Sequence, residues 1–197
     1  MAKEEPVTKE ELDKYRAFVK DLSDNECDKV FLNSSPEHAV IVVAQIFRQS
    51  KDTVRIFAHN LIRTIGEKYD YIVALSEFIE RGGAVRILLN GFDADLARKS
   101  ILYRRLNYFA TCNKDIQIKS TNVHPYLAED EEQKEIHFTI GDKKAFRIET
   151  NTNEVLAECN MNGTKVATQF ADFFDGLFND AAKTSNVNLL TLFDHAE

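Results

Sequence analysis

Apolar positions along this chain recur with two alternating periods, one helical and one extended. Leu12, Tyr15, Phe18, Val19 and Leu22 repeat at helical spacing, and Thr8 with Glu11 forms a capping-box pattern ahead of them, which predicts a helix over 8–22. SDNECDK follows as a turn-rich connection. Ser34-Ser35-Pro36-Glu37 supplies a hydroxyl cap, a first-turn proline and an early acid, which predicts a second helix over 36–50. Its run from Ala39 to Ala44 is apolar on all sides and predicts deep burial. Residues 53–58 are rich in β-branched and aromatic side chains and read as a strand. Tyr71, Leu75, Phe78 and Ile79 form a helical stripe that stops at Gly82-Gly83, where glycine suits a left-handed cap. Residues 84–89 are an apolar run suited to a buried strand. Asp93 or Asp95 opens a helix over 94–111, and 116–119 is a short third strand.

After residue 120 the pattern changes. His124-Pro125-Tyr126 reads as a turn, and Ala128–Glu132 as a solvated acidic loop. Three short strands are expected at 136–140, 145–150 and 155–159. Gly141-Asp142-Lys143-Lys144 and Asn151-Thr152-Asn153 between them have hairpin turn chemistry, which predicts an antiparallel meander. Val166, Phe170, Phe173, Phe174, Leu177 and Phe178 put one apolar face on a helix over 164–182, read as core. The expected fold class is α/β: a largely parallel sheet flanked by helices, then a C-terminal meander and a closing helix. Three segments are expected: an N-terminal helix and connection at 1–29, a main domain at 30–182, and an apolar tail at 183–197. The tail either packs on the domain or meets another subunit.

Composition narrows the functional classes. The chain carries 25 basic and 32 acidic residues, a net charge of -7, so its overall field repels phosphate backbones and disfavours a dedicated nucleic-acid binder. Three scattered cysteines with no zinc spacing suggest reduced thiols. The charged N-terminus has no apolar core of a signal peptide, and no apolar stretch approaches a membrane span, so a cytoplasmic address without membrane contact is expected. There is no glycine-rich phosphate loop, nucleophile elbow or His-Glu-x-x-His, so no cofactor or metal is expected.

The order of elements over 30–182 resembles one half of the phospholipase D superfamily, and EIHFTIGDKKAFRIET followed by LAECNMNGTKVATQFADFFDGLF carries the resemblance. Active members of that family bear His-x-Lys-x4-Asp on the first strand of this hairpin and a Gly-Ser step after it. Asp142 stands at the motif's Asp, His137 at its Lys and Glu135 at its nucleophile, while Ile148-Glu149-Thr150 replaces the Gly-Ser step. The resemblance therefore implies a domain with a degenerate motif. A carboxylate cannot form the phosphohistidine that such hydrolysis needs, and it repels phosphate. Asp142-Lys143 also reads simply as a hairpin turn.

Other residues have functional and structural readings side by side. His59-Asn60 and Asn90-Gly91 follow parallel strands, where open α/β sheets bind ligands, or else form a helix cap and a turn. Arg147 and Glu149 share one face of a strand and can form an ion pair or meet a ligand. Asn160, with Asn162, either caps the last helix or joins a binding site. Arg98, Lys99, Arg104 and Arg105 make a basic patch, interleaved with Tyr103 and Tyr108, that suits nucleic acid, an acidic partner or a solvated face.

The resemblance implies a non-catalytic interaction or accessory module that pairs with a protein partner or, as a homodimer, with a second copy across the motif faces. By the company such domains keep, it also implies a place in a bacterial antiviral defence or regulatory complex. The alternatives are a phosphodiesterase or nuclease using His137 and Asp142 with His59 or His124, and nucleic-acid binding through the helix at 98–105.

Overall fold

The computed structural model describes residues 7–33, 35–62, 65–127, 134–151 and 156–194; the acidic loop read at Ala128–Glu132 lies outside the described residues. The elements in chain order are α1 (Lys9–Asp24), β1 (Phe31–Asn33), α2 (Pro36–Gln49), β2 (Thr53–Ala58), α3 (Tyr69–Glu80), β3 (Ala84–Leu89), α4 (Ala94–Lys99) and α5 (Ile101–Thr111). They continue with β4 (Ile116–Thr121), β5 (His137–Gly141), β6 (Ala145–Asn151), β7 (Leu156–Asn160), α6 (Thr164–Phe178), β8 (Thr184–Val187) and α7 (Leu189–Phe193).

Local chemistry sets the helix ends. Thr8 and Glu11 close both halves of a capping box at the start of α1. The Ser35 hydroxyl accepts the N–H of His38 at the start of α2. Beyond α3, Gly82 takes φ +94°, and the N–H groups of Gly82 and Gly83 donate to Ile79 and Phe78, a Schellman closure. The single helix expected over 94–111 breaks at Ser100. Its backbone is extended there, and its hydroxyl accepts the N–H of Tyr103 while donating to Glu67. The closing helix ends at Phe178, short of 182, because the chain turns at Asp180 to enter β8.

All eight strands form one sheet in the order β1-β7-β6-β5-β2-β3-β4-β8. Parallel pairing is confined to β2, β3 and β4, and the meander extends the same sheet by laying β5 antiparallel on β2. The parallel portion is thus smaller than the helix–strand alternation suggested, and the fold is a mixed α/β sheet flanked by helices. Two strands escaped the sequence pattern, the three-residue β1 and the β8 formed by the tail. β8 pairs antiparallel with β4, and Leu189 and Leu192 of α7 pack into the core beside α5.

Alternation along the strands divides the core. Val54, Ile56, Val85 and Ile87 face α2, α3 and α5, whereas Phe57, Leu88, Phe138 and Phe146 face α6. α2 is apolar all round because Val40, Val43 and Phe47 face one core while Ile41, Val42 and Ile46 face another shared with α1, β1 and β7. The phenylalanine stripe of α6 is core, with the Phe138 ring packed against Phe170 and Phe174; Phe173 stays 45% exposed at the margin.

Asp142 illustrates how the hairpin fixes the sheet. Asp142 and Lys143 both adopt left-handed backbone, at φ 50° and 53°, in the turn between β5 and β6. The Asp142 carboxylate accepts three backbone N–H groups, from Lys51 at 2.6 Å, Asp52 at 3.0 Å and Thr53 at 2.8 Å, so it ties the turn to the start of β2. Replacing Asp142 by alanine strands these donors and strains the left-handed backbone. A loss of about 2–3 kcal/mol of unfolding free energy is expected in urea denaturation of Asp142→Ala.

Candidate functional site

Because β2 and β3 are parallel and β5 runs antiparallel to β2, the carboxyl ends of β2 and β3 and the amino end of β5 meet at one edge of the fold. His59 follows β2, Asn90 follows β3, His124 follows β4, and Glu135 and His137 lead into β5. An isolated bridge between Tyr126 and Glu135 brings the chain back to that edge.

Glu135 is the hub. Its Oε1 accepts from Asn90 Nδ2 at 2.6 Å and from His137 Nε2 at 2.9 Å, and its Oε2 accepts from His124 Nδ1 at 2.9 Å. Burial by itself raises the Glu135 carboxyl, but the bonds from Asn90, His124 and His137 outweigh it and hold the group at about 2. An ionised carboxylate only accepts, so both imidazoles must donate to it. Asn90 Nδ2 spends its second hydrogen on the carbonyl of Val123 at 3.3 Å, which turns Asn90 Oδ1 toward His59 Nδ1, also at 3.3 Å. His59 therefore donates from Nδ1. Its ring lies over Gly91, where an added Cβ would come within 2.0 Å of it; only glycine leaves room. Among the described residues no group of three His, Cys, Asp or Glu is arranged to hold a metal.

Inward from this network lies a cavity of about 190 Å³ between β2, β5, β6 and the start of α3. His59, His137, Thr139, Arg147 and Glu149 line it on the polar side. Arg147 is 3% exposed; its Nη1 donates to Glu149 Oε2 at 3.0 Å and its Nε to Asn33 Oδ1 at 3.0 Å. The Arg147–Glu149 pair read from the sequence is thus a buried pair along one strand.

The structure gathers His59, His137, Arg147 and Glu149 around this cavity and leaves other residues elsewhere. Asp142 sits at the opposite end of β5 from His137, about 16 Å along the strand at 3.3 Å per residue. Its oxygens are taken by the backbone of residues 51–53, so a His137–Asp142 catalytic pair does not form. Asn160 lies at that far end too, donating to Asp28 Oδ1 at 2.7 Å, and neither it nor Asn162 caps α6, whose N-cap is Gly163. Asn60 borders the cavity, but its Oδ1 accepts the N–H of Ile62 and its carbonyl accepts the Tyr103 hydroxyl, so it shapes the loop.

Two of the four residues of the basic patch are paired with carboxylates at the surface, and Arg104 and Lys99 stand exposed. Arg98 pairs with Asp95 at 2.7 Å and donates to the Leu192 carbonyl. Arg105 reaches Glu80 at 3.1 Å and stacks on Phe109, and Arg104 donates to the Arg98 carbonyl. Lys99 is exposed.

The hub role of Glu135 was not evident from motif spacing, because Asn90 and His124 reach it from two other segments. Tyr71 of α3 also lines the cavity, and as part of an apolar helical stripe it carried no sequence signal beyond core.

The folded-state pKa of Glu135 lies below its ordinary value of 4.5, so its contribution to stability is complete above about pH 4.5 and is lost as pH falls toward 2. The stability difference between the natural chain and Glu135→Gln is therefore expected to shrink over that window in pH-dependent urea unfolding.

No protein-family model matches the sequence, and no curated protein matches it. Solved structures do match. Nuc from Salmonella typhimurium, described as a phospholipase D family member, superimposes with a TM-score of 0.56 at 17% identity, covering 82% of this chain and 99% of Nuc. TrmBL2, an archaeal chromatin protein described as showing a novel mode of DNA binding, gives 0.57 at 10% identity over 91% of this chain and 65% of its own. NucT from Helicobacter pylori gives 0.50 at 9% identity over 82% and 99%. At such identities the likeness concerns architecture, and with Nuc and NucT it spans nearly the whole of each. This chain therefore has the phospholipase D-like fold.

Proposed function

We propose that this chain is a non-catalytic phospholipase D-like module that binds a protein partner, with a second copy of itself as the favoured one. The observation that carries the reading is Glu135. It occupies the motif's nucleophile position and draws His124, His137 and Asn90 onto its own oxygens. Attack on phosphorus needs an imidazole free to bond and cations aimed at the phosphoryl oxygens. Here the rings donate to a carboxylate, the buried arginine is paired with Glu149, and the motif's aspartate is used at the other end of the strand. Exposed apolar side chains favour docking at this edge. Tyr69 starts α3, Ile101 starts α5 and Tyr126 bridges to Glu135, and all three stand open to solvent. A subunit role in a defence or regulatory complex is compatible with such a face.

Nucleic-acid binding is the second reading, because TrmBL2, which has a similar fold, is described as binding DNA. It is weaker here because Arg98 and Arg105 are paired with Asp95 and Glu80 and the chain is acidic overall.

Purified protein is expected to hydrolyse neither a phosphodiester reporter nor single-stranded DNA above the buffer rate, with His137→Ala indistinguishable from the natural chain. Turnover abolished by that substitution overturns the proposal. Sedimentation is expected to show a dimer that Tyr69→Glu or Tyr126→Glu converts to monomer; a natural chain that stays monomeric at all concentrations removes the second copy as partner.

A further inference from the structure

The sheet ends at β1 on one side and β8 on the other, and among the described residues neither has a strand beyond it. The two ends differ in chemistry. β8 presents Ser185 and Asn186 to solvent, side chains that water satisfies. At β1 the exposure alternates with the period of an extended strand: Val30 is 54% exposed, Phe31 7%, Leu32 61% and Asn33 2%. Val30 and Leu32 therefore stand on one face of the edge, both open to solvent. Phe31 turns to the other face, where the half-exposed Phe18 of α1 meets it edge-on at 5.5 Å.

Exposed edge strands are ordinarily blunted by charge, proline or a bulge, because their free N–H and C=O groups template pairing with another chain. Residues 30–33 contain no charge and no proline, and β1 lies on β7 in regular register. The two charges that precede them are drawn aside. Asp28 accepts from Asn160 at 2.7 Å, and the Lys29 ammonium lies over the Phe18 ring at 6.0 Å. The Tyr15 hydroxyl donates to the Leu32 carbonyl at 3.4 Å, a long bond that guards the edge weakly.

Self-complementarity identifies the occupant. When two β1 strands run antiparallel about a two-fold axis at Phe31, Val30 of one copy falls opposite Leu32 of the other, and the symmetry repeats the pair. Both pairs fall on the open face, so exposed apolar side chains cover one another. On the opposite face Lys29 falls across from Asn33. No like charges are set against each other there, which matters between two chains that each carry a net charge of -7. Other registers lose the match: an axis at Val30 sets Leu32 against Asp28, and an axis at Leu32 sets Phe31 against Asn33.

We propose that β1 is a second self-association surface, which pairs edge to edge with β1 of another copy and joins two eight-stranded sheets into one. It uses none of the residues of the surface at Tyr69, Ile101 and Tyr126. A chain with two distinct two-fold contacts assembles beyond a dimer. One short strand makes a small contact, so this surface fills at higher concentration than the other. The proposal goes beyond the non-catalytic reading and does not depend on it.

Sedimentation of the full chain over a range of concentrations tests it. Tyr69→Glu, which lacks the other surface, is expected to be monomeric when dilute and to dimerise when concentrated. Adding Leu32→Glu or Val30→Glu, both at exposed positions, is expected to raise the dissociation constant of that dimer about tenfold or more without lowering the melting temperature. The register has its own readout, in a Cys27→Ser, Cys112→Ser background with oxidised glutathione as oxidant. A mixture of Val30→Cys and Leu32→Cys chains is expected to cross-link faster than either chain alone, because directly opposed residues lie within disulfide reach. Tyr69→Glu that stays monomeric at every concentration overturns the proposal and leaves the Tyr69 surface standing. Association that Leu32→Glu and Val30→Glu leave unchanged, or cross-linking no faster in the mixture, also overturns it. A dimer of the natural chain that Leu32→Glu abolishes and Tyr69→Glu does not supports the β1 surface and sinks the one at Tyr69.

Discussion

The antiparallel pairing of β5 on β2 is the constraint on which the site depends. Had β5 joined the sheet in the other direction, its leading residues Glu135 and His137 would lie at the amino ends of the parallel strands, beside residues 51–53. Instead the register Phe57↔Phe138 carries them to His59 and Asn90. Two features hold that register. Phe57 and Phe138 stack at 5.5 Å beneath α6, and Asp142 binds the backbone at the start of β2. The Arg55–Asp175 pair, bonded through two contacts at 2.7 and 2.9 Å, anchors α6 over the same strand. Packing, turn and ion pair agree, so one sheet direction is specified rather than several.

Electrostatics at the resulting edge run against the chemistry that the fold resemblance first suggests. A phosphohistidine mechanism organises cations around an imidazole. Here the imidazoles are organised around an anion, and with Asn90 they hold the Glu135 carboxyl below its ordinary range against the effect of burial. The hydrogen-bond directions follow from that one charge. Because Glu135 only accepts, His124 and His137 donate to it directly, and Asn90, which also donates to it, turns its own oxygen toward His59.

The basic helix shows why charge clusters in sequence are weak guides to partners. Arg98 and Arg105 were half of the apparent patch, yet Asp95, Glu80 and the Phe109 ring consume them. In an acidic chain each arginine finds a nearby carboxylate readily, and exposed pairs of this kind contribute only about 0–1 kcal/mol each. Such pairs settle helix orientation more than they settle stability. The tail is a comparable case. Its apolar run was open to two readings, and β8 with α7 completes the sheet edge and the core beside α5.

By itself the sequence determined the local elements. The Thr8–Glu11 box, the Ser35 cap, the Gly82-Gly83 stop and the Asp142-Lys143 turn all depend on a few adjacent residues, whose backbone preferences act before any long-range contact forms. The apolar periods of α2, β2, β3 and α6 fixed which faces are buried, and with them the α/β class, while strand pairing decided that the sheet is mixed. Tertiary structure decided the rest. β1 is too short to carry a pattern, β8 becomes a strand only because β4 offers a free edge, and the break at Ser100 pairs its hydroxyl with Glu67 from another loop. The meeting of Asn90, His124, Glu135 and His137 was hidden for the same reason: each residue's neighbours in the chain say nothing about the partner that strand pairing brings to it from a distant segment.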